Sequence, residues 1–330
     1  MNPIFPIILL FSLFTSSSYA FHCVDETNEA IDYWVGFKGP DTFDYTIYTS
    51  KKKKLQKSMA SLTSHEYGSL ANTVKQLWDE KANFIIYNDE SPLDNQPYNF
   101  KLGHTKGILA FSEDGGFWLT HSVPKFALGP TQVSQYQGIT TNAHMYGQSF
   151  FCKSFTVSQL NDIAGVLLYN HPNIQDMTLH ITNYANLTAL SKQQYQTSHS
   201  CETLTVENLT VFAKSKEFGK DLYGDCIAPY YQSNLKVESW LRGDLIGAVC
   251  NDYKIVDGLS IQLDSNDFSE HQDHSKYAVG EDSLVCFADI NRMTTQFQRG
   301  GGAVCFQDKS LHTLMESMIQ TTNHCYSEIQ

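Results

Sequence analysis

Residues 1–20 contain no lysine, arginine, aspartate or glutamate, and Ile4 to Phe14 is almost continuously apolar. That run is too short to span a bilayer comfortably, which argues against an N-terminal anchor. It closes on Ser18-Tyr19-Ala20, a small-x-small pattern of the signal-peptidase type. The segment therefore reads as a cleaved secretory signal that lacks the usual positive n-region; the competing reading is an N-terminal core element. No later stretch approaches about 18 uninterrupted apolar residues, so a soluble mature chain is expected. Neither Cys-x-x-Cys nor His-x-x-x-His spacing occurs, which argues against a zinc site. Basic residues are scarce as well, with 23 Lys+Arg against 35 Asp+Glu and a formal charge of −12. At neutral pH this disfavours a protein that grips phosphates through surplus cations. The 12 histidines change the balance in acid, where they gain charge while carboxylates begin to lose it. On charge alone, solubility is explanation enough.

The mature chain is long enough to bury a large core in two packed halves. Eight cysteines in a secretory context read as a disulfide framework, against a reading of buried free thiols. An even eight permits about 105 full pairings, and spacing does not choose among them. Asn186-Leu187-Thr188 and Asn208-Leu209-Thr210 are glycosylation sequons. Short apolar strands are expected at Tyr33–Phe37, Tyr45–Tyr48 and Phe84–Tyr87, with helical spacing at Leu70, Val74, Leu77 and Trp78. Glu113-Asp114-Gly115-Gly116 predicts a hairpin turn into Phe117–His121, and Leu160, Ile163, Ala164 and Leu167 predict a second helix. A Gln-, Ser- and Thr-rich connection at 191–200 precedes strands near Leu204–Phe212, Leu245–Val249, Tyr253–Leu263, Leu284–Phe287 and Ala303–Phe306. A last helix should carry Leu311, Leu314, Met315, Met318 and Ile319 on one face. Strands mixed with helices on both sides indicate an α/β fold. The organisation expected is a signal at 1–20, a first half at 21–190 and a second at 191–330.

Two tripeptides carry the chemistry. His104-Thr105-Lys106 runs into Ile108–Phe111, and His274-Ser275-Lys276 runs into Ala278 and Val279. On an extended strand a histidine and a lysine two residues apart face the same way. An imidazole beside an ammonium suits phosphoryl chemistry, because one can attack or shuttle a proton while the other holds phosphate oxygens. A His-x-Lys triplet should arise by chance about once in a chain of this composition, so surface or hydrogen-bonded histidines and solvated lysines are the bland reading. Two copies 170 residues apart suggest a diverged duplication, one copy per half. The basic run Lys51–Lys54 reads as a solvated loop, with nucleic-acid contact as the sharper alternative.

Longer blocks around these residues resemble deoxyribonuclease II. They are Gly103-His104-Thr105-Lys106-Gly107, then Gly116-Phe117-Trp118-Leu119-Thr120-His121-Ser122-Val123-Pro124-Lys125-Phe126, then Asp273-His274-Ser275-Lys276-Tyr277. Asp32-Tyr33-Trp34-Val35 ahead of Lys38 and Pro40, Tyr87-Asn88-Asp89, and Tyr146-Gly147-Gln148-Ser149-Phe150-Phe151-Cys152 fall in the same order. The resemblance covers essentially the whole mature chain. It implies a phospholipase-D-like fold of two similar α/β halves with the active site at their junction. It also implies metal-independent, cofactor-free cutting of double-stranded DNA at acidic pH, with little sequence preference, leaving 3′-phosphate ends. His104 and His274 would be the catalytic pair, with Lys106 and Lys276 on the scissile phosphate. His121 either orients phosphate or packs, and Lys125 is a candidate backbone contact.

The family pattern implies the disulfides Cys23–Cys152, Cys250–Cys325 and Cys286–Cys305, leaving Cys201 with Cys226. Phospholipase D relatives carry an aspartate five positions after the lysine; here Phe111 and Glu281 stand there, and Glu281 is a candidate to orient a histidine. Tyr277 replaces a common tryptophan. A secreted or lysosomal destination is expected, and a homodimer is compatible with the sequence. The rival readings are a deoxyribonuclease II-like binder of nucleic acid or a host partner with weak catalysis, and a lipid phosphodiesterase of the same fold.

Overall fold

A computed structural model describes residues 20–93 and 98–325, so the signal segment, apart from Ala20, lies outside the described residues. The mixed α/β chain forms two large sheets. Strands β1 (Tyr33–Lys38), β2 (Thr46–Thr49), β3 (Gln56–Lys57), β4 (Asn83–Tyr87), β5 (Gly107–Phe111), β6 (Gly116–His121), β7 (Gln148–Phe155) and β8 (Ile174–Thr178) build the first, in the order β8-β4-β5-β6-β7-β1-β2-β3. Every pairing in it is antiparallel.

The second sheet takes β9 (Glu202–Val206), β10 (Leu209–Lys214), β11 (Leu235–Glu238), β12 (Val249–Cys250) and β13 (Lys254–Leu263). It continues with β14 (Asn266–Ser269), β15 (Tyr277–Gly280), β16 (Leu284–Ala288), β17 (Gly301–Gln307) and β18 (Ile319–Thr322). Its order is β9-β10-β17-β16-β15-β11-β13-β12, with β14 and β18 also on β13, and only β11–β13 is parallel. The first sheet thus ends at Thr178 and the second begins at Glu202.

Both faces of each sheet are covered, which is why strands such as Phe84-Ile85-Ile86-Tyr87 are apolar throughout instead of alternating. Alternate residues point to opposite sides. Val35, Ile85, Leu109 and Phe151 share one core with Val211, Val279, Phe287 and Val304 of the second sheet. Phe151 stacks on Phe287 with centroids 5.1 Å apart and planes 3° from parallel. The reverse faces bury Trp34, Ile86 and Phe150 in one cluster and Phe212, Val237 and Cys286 in another.

Helix α1 (Val157–Asn170) enters the shared core through Leu160, Ile163 and Leu167. A reciprocal cap starts it: Thr156 Oγ1 accepts the Gln159 N–H at 3.3 Å, and Gln159 Oε1 accepts the Thr156 N–H at 2.9 Å. Helix α2 (Lys309–Met318) is capped by Asp308, which accepts from the N–H groups of Ser310 and Leu311. The same carboxylate takes the hydroxyls of Tyr33 and Tyr48, tying the first sheet to a helix between two strands of the second.

The hairpin at 113–116, both longer helices and most strands fall where the sequence places them. The disulfides Cys23–Cys152, Cys201–Cys226, Cys250–Cys325 and Cys286–Cys305 are all formed. Four readings need correction. The stretch Leu204–Phe212 is a hairpin, because Glu207 adopts φ 54° and turns the chain back. Leu245–Val249 contributes an isolated bridge at Leu245 and the two-residue β12, not a full strand. Ile319 opens β18 instead of closing the helix. The strand after His104 begins only at Gly107.

Glu238, the last residue of β11, is fully buried, and neither carboxyl oxygen has a hydrogen-bond partner among the described residues. Burial, reinforced by Asp273, Glu270 and Asp257, raises its pKa well above the ordinary carboxylate value. While both folded and unfolded chains are protonated the group exacts no penalty; as pH climbs above about 4.3, keeping it buried disfavours the folded state increasingly. Glu238→Gln is expected to raise the melting midpoint at pH 7, by about 2–4 °C per kcal/mol of penalty removed, and to change it little at about pH 4. Equal shifts at both pH values in thermal melts would refute this account.

Candidate active site between the two sheets

The two His-x-Lys segments lie in irregular backbone just ahead of β5 and β15. The backbone N–H of each histidine is committed across the sheet boundary. His104 N donates to Gly300 O at 2.8 Å, immediately before β17, and His274 N donates to Gly147 O at 2.9 Å, immediately before β7. Close approach requires glycine. A Cβ at Gly103 would stand 1.9 Å from the Asn170 carbonyl oxygen, and one at Gly300 would stand 2.3 Å from it. The end of α1 is therefore wedged between two backbones that tolerate no side chain.

His104 is held by a hydrogen bond from Nδ1 to the Asp289 carbonyl at 2.6 Å. That carbonyl can only accept, so Nδ1 carries the proton and Nε2 presents its lone pair. Nε2 lies 3.7 Å from Asp89 Oδ2. The Asp289 carboxylate accepts from Thr105 Oγ1 at 2.7 Å and from the Gly302 N–H at 3.3 Å, locking the tripeptide in place.

Asp89 ties the first pair together. It forms an ion pair with Lys106, lies 3.6 Å from Arg299 Nη2, and accepts the Tyr98 hydroxyl at 2.8 Å. Burial alone would raise this carboxyl, but Lys106, His104 and Arg299 outweigh it and hold it well below the usual carboxylate range. Arg299 also donates to the Leu102 and Gly103 carbonyls and lies over the Tyr98 ring.

His274 is held differently. Its ring stacks on Tyr146 with centroids 4.1 Å apart and an angle of 13°, and meets Trp240 at 4.3 Å. Lys276 Nζ donates to the His274 carbonyl at 2.5 Å. Burial and then Lys106 push the Lys276 ammonium down to about 7. Burial, Lys276 and Lys106 push His274 down to about 2, while burial and Lys106 also lower His104 strongly. Each pair's lysine acts on the other pair's imidazole, so the two segments face one electrostatic environment.

The other sequence candidates divide. His121, buried beneath Lys106, packs edge-on to Phe126 at 5.1 Å, and burial drives its pKa down to about 3. Lys125 is half-buried near Glu90, beside Asp89. Glu281 does not orient a histidine. Five residues beyond Lys276 along an extended strand is roughly 16 Å, and there it accepts from Asn234 Nδ2 at 2.8 Å. Phe111 is core. Lys51 and Lys53 pair with Glu29 and Asp308 at the Tyr33 end of β1, opposite Lys38. Asn208 is exposed at the β9–β10 turn, and Asn186 is half-buried with its side chain against Gly165. Sequence reasoning assigns no role to Tyr98, nor to Arg299, Trp240 or Asp289, whose contacts at the site come from residues remote in the chain. Asp89 and Tyr146 lie within the family-like blocks, where the sequence alone assigns them no task.

The Deoxyribonuclease II family model matches residues 22–325. Deoxyribonuclease-2 of Caenorhabditis elegans is 33% identical, over 96% of this chain and 98% of that protein. Putative deoxyribonuclease-2 of Burkholderia thailandensis is 32% identical over 87% and 89%, and Plancitoxin-1 of Acanthaster planci 28% over 96% of each. A solved structure, phosphatidylserine synthase of Haemophilus influenzae Rd KW20, aligns over 69% of this chain and 64% of that one, at 13% identity and a TM-score of 0.33. That likeness is too slight to assign a fold.

The cluster of cations should bind a small tetrahedral anion. Calorimetric titration of sulfate at pH 5 is expected to reveal one site, weakened about 10–100-fold by Lys106→Met or Lys276→Met. Lys51→Met should leave it unchanged. Sulfate binding that survives both cleft substitutions would remove the assignment.

Proposed function

The chain belongs to the deoxyribonuclease II family, and we propose on that premise that it is an acid, metal-independent endodeoxyribonuclease working through a phosphohistidine. DNA is the substrate, held by its backbone with little sequence preference, and the products carry 3′-phosphate and 5′-hydroxyl ends. The two sheets are read as the diverged halves of a phospholipase-D-like fold. The observation that carries the reading is the pair of His-x-Lys segments, each anchored to the opposite sheet and electrostatically coupled to the other.

The contrast between the two histidines supports separate roles. His104, with its Nδ1 proton fixed by the Asp289 carbonyl, offers Nε2 to phosphorus as the nucleophile. His274, flanked by Tyr146 and Trp240, suits a ring that must become cationic, because aromatic faces attract a positive charge. Burial, and then the ammonium groups of Lys276 and Lys106, keep His274 neutral. An incoming phosphodiester brings the negative charge that offsets them, so proton uptake accompanies binding. His274 then protonates the departing 5′-oxygen and, neutral again, activates water to hydrolyse the phosphohistidine. Lys106 and Lys276 stabilise the charge gathering on the equatorial oxygens. A secreted or lysosomal setting fits an enzyme of this kind and its disulfides.

The direct test is plasmid nicking at about pH 5 in EDTA. Wild type should cut, His104→Ala and His274→Ala should lose at least about 10³-fold, and the ends should carry 3′-phosphate. Cutting that needs magnesium would end this reading. The Lys276 value of about 7 gives a second test. Its ammonium is charged below that pH and lost above it, so duplex affinity of inactive His104→Ala should fall as pH passes about 7. In Lys276→Arg, which keeps its charge, that fall should be shallower.

A further inference from the structure

Two lysines outside the cleft occupy matching places. Lys38 is the last residue of β1 and pairs in register with Gln148 at the start of β7; Lys214 is the last residue of β10 and pairs with Gly301 at the start of β17. Their side chains are 1% and 0% exposed at the residue level. Lys38 Nζ donates to the carbonyls of Gly39 at 2.7 Å, His144 at 2.9 Å and Tyr146 at 2.6 Å. Lys214 Nζ donates to those of Gln296 at 3.0 Å, Phe297 at 3.3 Å and Arg299 at 2.5 Å. Each ammonium therefore spends its three protons on carbonyls, Lys214 on three of one loop and Lys38 on two of the 144–146 loop and on that of its neighbour Gly39, and neither has a carboxylate within 4.0 Å among the described residues.

Tyr146 and Arg299 immediately precede Gly147 and Gly300, the glycines whose carbonyls hold His274 and His104. The same two residues also touch the site through their side chains, Tyr146 on the His274 ring and Arg299 on Asp89. We infer that Lys38 and Lys214 are reciprocal positioning residues: Lys38 in the first sheet sets His274, and Lys214 in the second sets His104. A buried ammonium is an unusual way to fasten a loop, since an isolated charge is strongly disfavoured out of water. Three convergent carbonyls offset that cost and fix the loop at one point, as a methionine of similar length would not. Both sheets carry the same device, each aimed at the histidine of the opposite segment.

The kinetic part of the test rests on the roles proposed above for the two histidines; the spectroscopic part does not. With histidine side chains isotopically labelled, Lys38→Met should move the imidazole signals of His274 and leave those of His104, and Lys214→Met should do the converse. Lys38→Gln and Lys214→Gln, which retain two donors, serve where a methionine variant does not fold and should shift the same signals less. In first-turnover kinetics at pH 5, Lys38→Met should slow DNA cleavage by about 10²-fold. It should affect release of p-nitrophenolate from thymidine 3′-(p-nitrophenyl phosphate) far less, because that leaving group needs no proton. Lys214→Met should slow both substrates alike, as His104→Ala does. If each lysine variant disturbs both histidines equally, or neither, the pairing is wrong whatever the kinetics. If the signals separate as stated but the substrates do not, the histidine roles fail and the pairing stands.

Discussion

Ammonium groups, a guanidinium and imidazoles cannot be gathered under a protein surface without a counter-charge at contact distance. Asp89 supplies it, touching Lys106, Arg299 and Tyr98 and lying within reach of His104. Its burial alone would favour the neutral acid; the surrounding cations reverse this, so its negative charge is fixed by the cations it holds. The balance is local, and it is incomplete by design of position. Lys276, which has no ion pair of its own with Asp89, is the lysine whose charge weakens near neutrality. On the proposed reading, a phosphodiester lying beside it adds the negative charge that favours a protonated imidazole there.

That electrostatic arrangement depends on a backbone exchange. Each His-x-Lys segment belongs by sequence to one sheet, yet its histidine N–H is held by a glycine carbonyl at the entrance to a strand of the other. The aromatic contacts of Phe151 with Phe287 and Tyr33 with Phe306 bring the inner faces together, and the exchanged hydrogen bonds set how the ends of the strands meet. Packing supplies the bulk of the attraction, whereas the hydrogen bonds define position, since each is worth only about 1 kcal/mol net but costs more if left unmade when buried.

Much of this was legible in the chain. The turn at Glu113–Gly116, the apolar strands and the capped helix after Thr156 follow from short-range chemistry that acts within a few residues. The catalytic candidates were legible because each His-x-Lys is a local pattern that occurs twice. What stayed hidden is relational. Arg299 and Asp89 are 210 residues apart, and nothing near either announces the other. Lys38 and Lys214 end apolar strands, where an isolated lysine ordinarily marks the step into solvent; only the fold reveals carbonyls waiting on all sides. The extended geometry expected at His104 failed for a related reason. Its N–H is already committed to Gly300, so the segment cannot join the ladder until Gly107. Glu281 was misread because counting five residues from the lysine ignores how far a strand carries the chain.

The acidic composition and the cationic cleft are two consequences of one placement rule. A chain with formal charge −12 should repel a polyanion at neutral pH, yet several of its carboxyls are not surface charges. Glu238, Asp257 and Asp273 are buried and Asp289 is half-buried, and removal from water raises the pKa of each, Asp289 to about 6. Acidification neutralises these groups with little solvation to lose, relieving the fold, while it restores charge to Lys276. On the proposed reading the same proton activity eases the interior and strengthens the grip on phosphate. An enzyme with these carboxyls exposed and these lysines solvated would have the same formal charge but neither response, so it is burial, not composition, that couples this fold to acid.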